Sequence, residues 1–305
     1  MELPFVTLDV FTTTRYRGNP LAVVTIPAGS PPLSQDQKQT IAREFNLSET
    51  VFVHDVPDPE SNKQRVIDIF ITDAEIPFAG HPTIGTAVFL RPQGVDTLIA
   101  KAGPIALVET ASGHVQAEIP HNVRQHAKTL ADLPAPGPGQ FNVDASIRRL
   151  ERDAPLFSIV NGMTFALINL PDLDNLAQVS LSGTQIPSEQ LLDDGWQTGF
   201  LSKYFYVFVN QKTENSKTIF SIRSRMMEAS FEDPATGSAA CALSCYLTLQ
   251  QPDLQNQIFR FEIDQGVEMG RESNIAVEVA LRDSKIDTVK LSGTATQVMH
   301  GHVTV

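Results

Sequence analysis

The sequence has only two cysteines in 305 residues, one tryptophan and four tyrosines. Cys241 and Cys245 are spaced i, i+4 on one apolar stretch, so they read as packing residues rather than a disulfide or redox pair. There is no excess of positive charge: the formal net charge is −12, and no basic run offsets it, which argues against a nucleic-acid surface. No apolar run reaches the ~20 residues of a membrane span. The N-terminus goes straight into Phe5-Val6-Thr7-Leu8-Asp9-Val10 without a charged region ahead of an apolar one, so no signal peptide is expected. A glycine-rich strand-to-helix loop for a nucleotide is missing. His300 and His302 share a strand face without a supporting ligand set, so no metal is expected. What remains is a chain of 42% apolar and 19% charged residues, the mixture of an ordinary globular protein, expected to be cytoplasmic.

What is present is organised around Phe231 to Leu243. Asp233 reads as a helix N-cap and Pro234 as the first helical residue. Gly237 and Ser238 keep the first turn slim, and the small apolar run after them suits an enclosed helix. His81-Pro82-Thr83-Ile84-Gly85-Thr86-Ala87 repeats the pattern x-Pro-x-x-Gly-(Ser/Thr)-Ala. In this register His81 corresponds to Asp233, nearly half a chain apart, which suggests two domains of like fold. Two such helix N-termini facing one cleft would make an anion site.

The rest of the chain fits that division. Strands are expected over 4–11 and 21–26, flanking the turn Arg17-Gly18-Asn19-Pro20. A helix capped by Ser34 with Gln37 in the capping box ends at Asn46 in the left-handed conformation. Glu49 then sits where that helix hands over to the strand Val51-Phe52-Val53. Further strands are read at 65–71, 97–101, 104–110 and 114–119. The proline- and glycine-rich stretch reads as a crossover. Strands resume at 156–160 and 164–170, with a polar helix near 187–194. The domains expected are 1–121, with 292–305 returning as a closing strand, a linker over 122–141, and a second domain over 142–291.

Gly18-Asn19-Pro20, Asn46-Leu47-Ser48-Glu49-Thr50, Pro77-Phe78-Ala79-Gly80-His81-Pro82 and Glu232-Asp233-Pro234-Ala235-Thr236-Gly237-Ser238-Ala239, in this order, resemble the motifs of the PhzF family of phenazine-biosynthesis-like isomerases and epimerases. The resemblance implies an α+β, diaminopimelate-epimerase-like fold, with two similar domains each wrapping a sheet around a central helix. It implies a cofactor-independent enzyme moving a proton between carbons of a small carboxylated metabolite. Glu49 is implied as general acid and base, with His81 and Asp233 as further catalytic residues. Asn19, Ser48, Gly80, Gly237 and Ser238 are the expected substrate-binding residues. Thiol-based racemases of the wider fold carry a cysteine at each helix start; those places hold His81 and Asp233 here, which speaks against two-thiol chemistry. An amino-acid or hydroxy-acid racemase of the same fold, or a non-catalytic binding protein, are the alternative readings. The expected partners are a carboxylate substrate and a second copy of the chain in a homodimer. One departure stands out: between Arg223-Ser224-Arg225-Met226 and Glu232 the family has a longer Phe…Pro…Gly segment, whereas this chain has only Met227 to Phe231. The substrate therefore does not follow from the resemblance.

Overall fold

A computed structural model describes residues 1–110, 113–134, 139–214, 217–251 and 257–305. Contacts divide the chain into two compact units, Met1–Ile119 with Lys290–Val305, and Pro120–Val289.

In the first unit, β1 (Glu2–Val10) and β2 (Asn19–Ile26) form an antiparallel pair. Gly18 makes their turn with φ +67°, and a Cβ there would lie 2.3 Å from the Val10 carbonyl oxygen, so only glycine fits. Helix α1 (Gln35–Phe45) opens on the reciprocal Ser34–Gln37 capping box and closes on Asn46 at φ 50°. It leads to β3 (Thr50–His54), parallel to β2, then to the antiparallel β4 (Gln64–Phe70) and the two-residue β5 (Glu75–Ile76) on the end of β4. Helix α2 (Gly80–Leu90) is buried along most of its length and packs on β1, β2 and β3. Gly85 permits that approach, since a Cβ would meet Leu21 and Val10 at 2.6 Å. β6 (Thr97–Ala100) runs parallel to β4, and β7 (Gly103–Glu109) and β8 (Val115–Glu118) follow antiparallel.

The second unit repeats this order. β9 (Arg124–Thr129) pairs with β10 (Pro155–Val160) across helix α3 (Ala145–Asp153), and β10 pairs with β11 (Met163–Asn169), all antiparallel. Short helices α4 (Leu173–Ala177) and α5 (Ser188–Leu191) occupy the place of α1. β12 (Phe200–Glu214) is parallel to β11 and antiparallel to β13 (Lys217–Met227), whose end carries the two-residue β14 (Glu232–Asp233). Helix α6 (Gly237–Leu249) is enclosed, packing on β10, β11, β15 (Ile258–Gln265) and β16 (Ser273–Arg282). β15 is parallel to β13 and antiparallel to β16.

β17 (Lys285–Gly293) carries the chain back to the first unit, where its last residues pair with β8. β18 (Ala295–Thr304) then lies antiparallel along β1, in the position β9 takes on β10. The mixed sheets with few helices make an α+β protein.

Two sequence expectations change. The stretch 122–141 contains β9, so it is not simply a linker. Its Arg-Gln-His-Ala-Lys-Thr sequence lacks apolar alternation, because the strand is held partly by polar contacts: Ala127 N–H and the Arg124 guanidinium both donate to the Asp193 carboxylate. Residues 135–138 of the proline-rich segment lie outside the described residues. The repeat also has a different register. β5 and β14 are equivalent, so Glu75-Ile76-Pro77-Phe78-Ala79-Gly80-His81 matches Glu232-Asp233-Pro234-Ala235-Thr236-Gly237-Ser238. His81 therefore corresponds to Ser238, the second residue of its helix, and not to Asp233.

Candidate active site

Glu49 is the last residue before β3, three residues beyond the left-handed Asn46 that ends α1. Its carboxylate Oε2 lies 3.4 Å from His81 Nδ1, with only 16% of the Glu49 side chain and 4% of the His81 side chain exposed. Burial pushes the Glu49 carboxyl up to about 7, with the neighbouring Ser48 hydroxyl as the smaller, opposing influence. Desolvation wins because a carboxylate loses more by leaving water than one hydroxyl returns. A carboxyl poised near neutrality can both accept and release a proton within one cycle.

His81 owes its place to α2, which starts at Gly80 from an extended Ala79. Among the described residues no side chain caps α2. By contrast α1, α3 and α4 are capped by Ser34, Asp144 and Asp172. The start of α6 is likewise uncapped by any side chain. Uncapped N–H groups at the start of a helix suit a bound anion.

In the second unit Asp233 is not the N-cap. α6 starts at Gly237, four residues later, after an extended Thr236. The reason is local competition: Asp233 pairs with Met226 in the β14 ladder, and its carbonyl accepts from Gln265 Nε2 at 2.8 Å. A residue held in a ladder cannot also turn the chain into a helix. The Asp233 carboxylate Oδ2 instead accepts from the Thr236 hydroxyl. The neighbouring Glu232 is gripped by Arg225, whose Nε and Nη2 donate at 2.9 and 2.7 Å. Arg225 Nη1 donates to the carbonyl of Leu176 in the last turn of α4 and to that of Val179 just beyond it.

Of the remaining predicted residues, Asn19 is buried at the start of β2, and Gly80, Gly237 and Ser238 are buried in the first turns of the two helices. Ser48 flanks Glu49. The structure thus brings Glu49, Ser48 and His81 together in one unit, and Asp233, Gly237 and Ser238 together in the other. Sequence reasoning missed Arg225, Gln265 and Tyr204. Thr236 was visible in the motif without a stated role, whereas Gln265 carries no local signal at all. Cys241 and Cys245 are fully buried, and burial pushes both thiols up. Among the described residues no three His, Cys, Asp or Glu gather to hold a metal.

The short Met227–Phe231 segment is a tight turn, with Glu228 N–H donating to the Phe231 carbonyl at 3.0 Å. It leaves little chain to build a wall beside Asp233.

An α+β protein that buries a carboxyl against an imidazole at a helix start holds two groups able to take and give a proton. The chain belongs to the PhzC-PhzF family of phenazine biosynthesis-like proteins, whose model matches residues 8–301. It is 34% identical to an uncharacterized isomerase of Mesorhizobium japonicum, over 96% of each chain. It is 30% identical to the trans-2,3-dihydro-3-hydroxyanthranilate isomerase of Pseudomonas chlororaphis, over 98% of each chain. A crystal structure of a PhzF-family protein from Bacillus anthracis shares the fold with a TM-score of 0.75 over the whole of both chains, at 19% identity. The protein is an isomerase of this family.

Proposed function

We propose that this isomerase works without a cofactor, moving a proton between carbons of a small carboxylated metabolite with Glu49 as the sole proton carrier. The observation that supports this most directly is the buried Glu49 carboxyl, brought to about 7 beside His81. In the reading, Glu49 takes a proton from a carbon activated by a conjugated carboxylate and returns it elsewhere. His81 polarises the substrate or holds it for that transfer. Asp233, Gly237 and Ser238 bind polar substrate groups, with Ser48, Gly80 and Asn19 supporting. The uncapped starts of α2 and α6 favour a substrate carboxylate.

The Pseudomonas chlororaphis relative makes trans-2,3-dihydro-3-hydroxyanthranilate the first compound to test, within a panel of cyclic and acyclic carboxylates. The short 227–231 segment borders this part of the site, so the panel is not restricted to that ring. A racemase using two thiols has nothing to support it, because both cysteines lie inside α6 with their thiols pushed up.

The test is turnover of the panel in deuterated water by wild type and Glu49→Gln. The variant keeps size and hydrogen-bonding reach but cannot carry a proton. Binding should persist while kcat falls by at least ~10⁴-fold, the upper end for a positioned acid–base group. A near wild-type kcat in Glu49→Gln would exclude Glu49. Binding without turnover by wild type across the panel would favour the binding-protein reading.

A further inference from the structure

We propose that Thr236 and Gln265 are positioning residues for Asp233, acting through a relay of hydrogen bonds whose directions are fixed by chemistry. The proposal rests on the role for Asp233 given above.

Gln265 is fully buried at the end of β15. Its Nε2 donates to the Asp233 carbonyl at 2.8 Å and to Thr236 Oγ1 at 3.0 Å. Its Oε1 accepts from Thr236 N–H at 3.2 Å and from the Tyr204 hydroxyl at 3.1 Å. The amide cannot be flipped, because a carbonyl only accepts and a backbone N–H only donates. Both amide protons are therefore committed. Since Thr236 Oγ1 accepts from Gln265, its own single proton points to Asp233 Oδ2.

The far end of the relay is equally constrained. The Tyr204 hydroxyl lies 2.9 Å from Ser224 Oγ, and both residues are fully buried. Burial pushes the Tyr204 phenol up, so it stays protonated and donates to Gln265 Oε1. Ser224 then donates to Tyr204. The polarised direction runs Ser224 to Tyr204 to Gln265 to Thr236 to Asp233. Bonds in such a buried chain reinforce one another. The relay joins the strands β12, β13 and β15 to the turn before α6, which orients the Asp233 carboxylate and the Gly237–Ser238 helix start together.

A side chain that merely fills space would behave differently from one that donates a proton. Thr236→Val keeps shape and loses the hydroxyl; Thr236→Ser keeps the hydroxyl and loses the methyl. Thr236→Val should lower kcat about 10- to 100-fold, the worth of one charge-assisted hydrogen bond. KM should change far less, and Thr236→Ser should stay close to wild type. Gln265→Glu, an acceptor of the same shape, reverses the relay by drawing the Thr236 hydroxyl toward itself, and should also lose kcat while its melting temperature shows it folded.

A second readout needs no substrate. The side-chain carboxyl carbon of Asp233, observed by NMR in protein labelled with ¹³C-aspartate, should shift in Thr236→Val and Gln265→Glu and hold still in Thr236→Ser. If wild type turns over no compound in the panel, the functional reading fails while the carboxyl shift still judges the relay. An unmoved carboxyl carbon in Thr236→Val, or equal losses of turnover in the valine and serine variants, would overturn the proposal.

Discussion

At the scale of single residues, the site turns on how one carboxyl is buried. Glu49 is charged in the unfolded chain above its ordinary value of 4.5, yet in the fold it holds its proton up to about 7. The folded state therefore binds the extra proton between these values, and stability falls as pH rises through that window. Above pH 7 the buried charge costs about 3 kcal/mol relative to a neutral group. Glu49→Gln should accordingly melt higher than wild type at pH 8, with the difference shrinking toward pH 5. Equal melting temperatures at both pH values would mean that Glu49 is not desolvated as described. The same titration predicts that kcat/KM of the wild type rises toward a plateau above pH 7 if free Glu49 acts first as base. The motif residues were legible because each has a local meaning, such as a turn glycine, a left-handed asparagine or a helix-start histidine. The burial that raises the Glu49 carboxyl is supplied by the fold around it and not by its near neighbours in sequence.

At the scale of elements, β9, β10 and β11 are tied by a buried polar group that mimics a catalytic triad. His126 Nε2 lies 2.8 Å from Ser158 Oγ, and Ser158 lies 2.6 Å from Thr164 Oγ1. The Asp193 backbone N–H donates to His126 Nδ1 at 3.2 Å. That makes Nδ1 the acceptor and leaves the proton on Nε2, so the imidazole donates to the serine and cannot be its base. The group is structural. Burial lowers the affinity of His126 for a second proton. Below about pH 6.5 the unfolded chain takes up that proton and the folded chain resists it, so stability declines as pH falls. His126→Gln, which retains a donor but not the titration, should gain thermal stability relative to wild type as the pH is lowered from 7 to 5. An unchanged slope would assign the acid sensitivity to other groups. The helices α3 and α4 escaped the sequence reading although Asp144 and Asp172 cap them. At nine and five residues they are too short to establish a period.

At the scale of the whole molecule, the first unit contains both ends of the chain. β1 pairs with β2 on one side and β18 on the other, and the Met1 ammonium donates to the Val305 carbonyl at 2.9 Å. The first unit therefore cannot complete its sheet until residues 295–304 are made. Removing 295–305 bares one whole side of β1 and uncovers Phe5, which packs over Gly301. Limited proteolysis of that truncated chain should cut within 1–54 well before it cuts within 155–265. Uniform resistance across both regions would show that β18 is dispensable.

Features that depend on near neighbours could be read from the chain alone: the turn at Gly18, the capped α1, the enclosed α2 and α6, and the four motifs that place the chain in its family. These follow from backbone sterics, capping and hydrophobic burial over a few residues. Features that depend on distant partners emerge only in the folded chain. The register of the repeat is set by the pairing of β5 with β4 and of β14 with β13, and a helix rich in small apolar residues reads plausibly in either register. Asp233 left its expected cap position because Met226 and Gln265 hold its backbone, seven residues before it and 32 residues after it. The proton of Glu49 is governed by burial. None of these partners is adjacent in the chain, and only folding brings them within hydrogen-bonding reach.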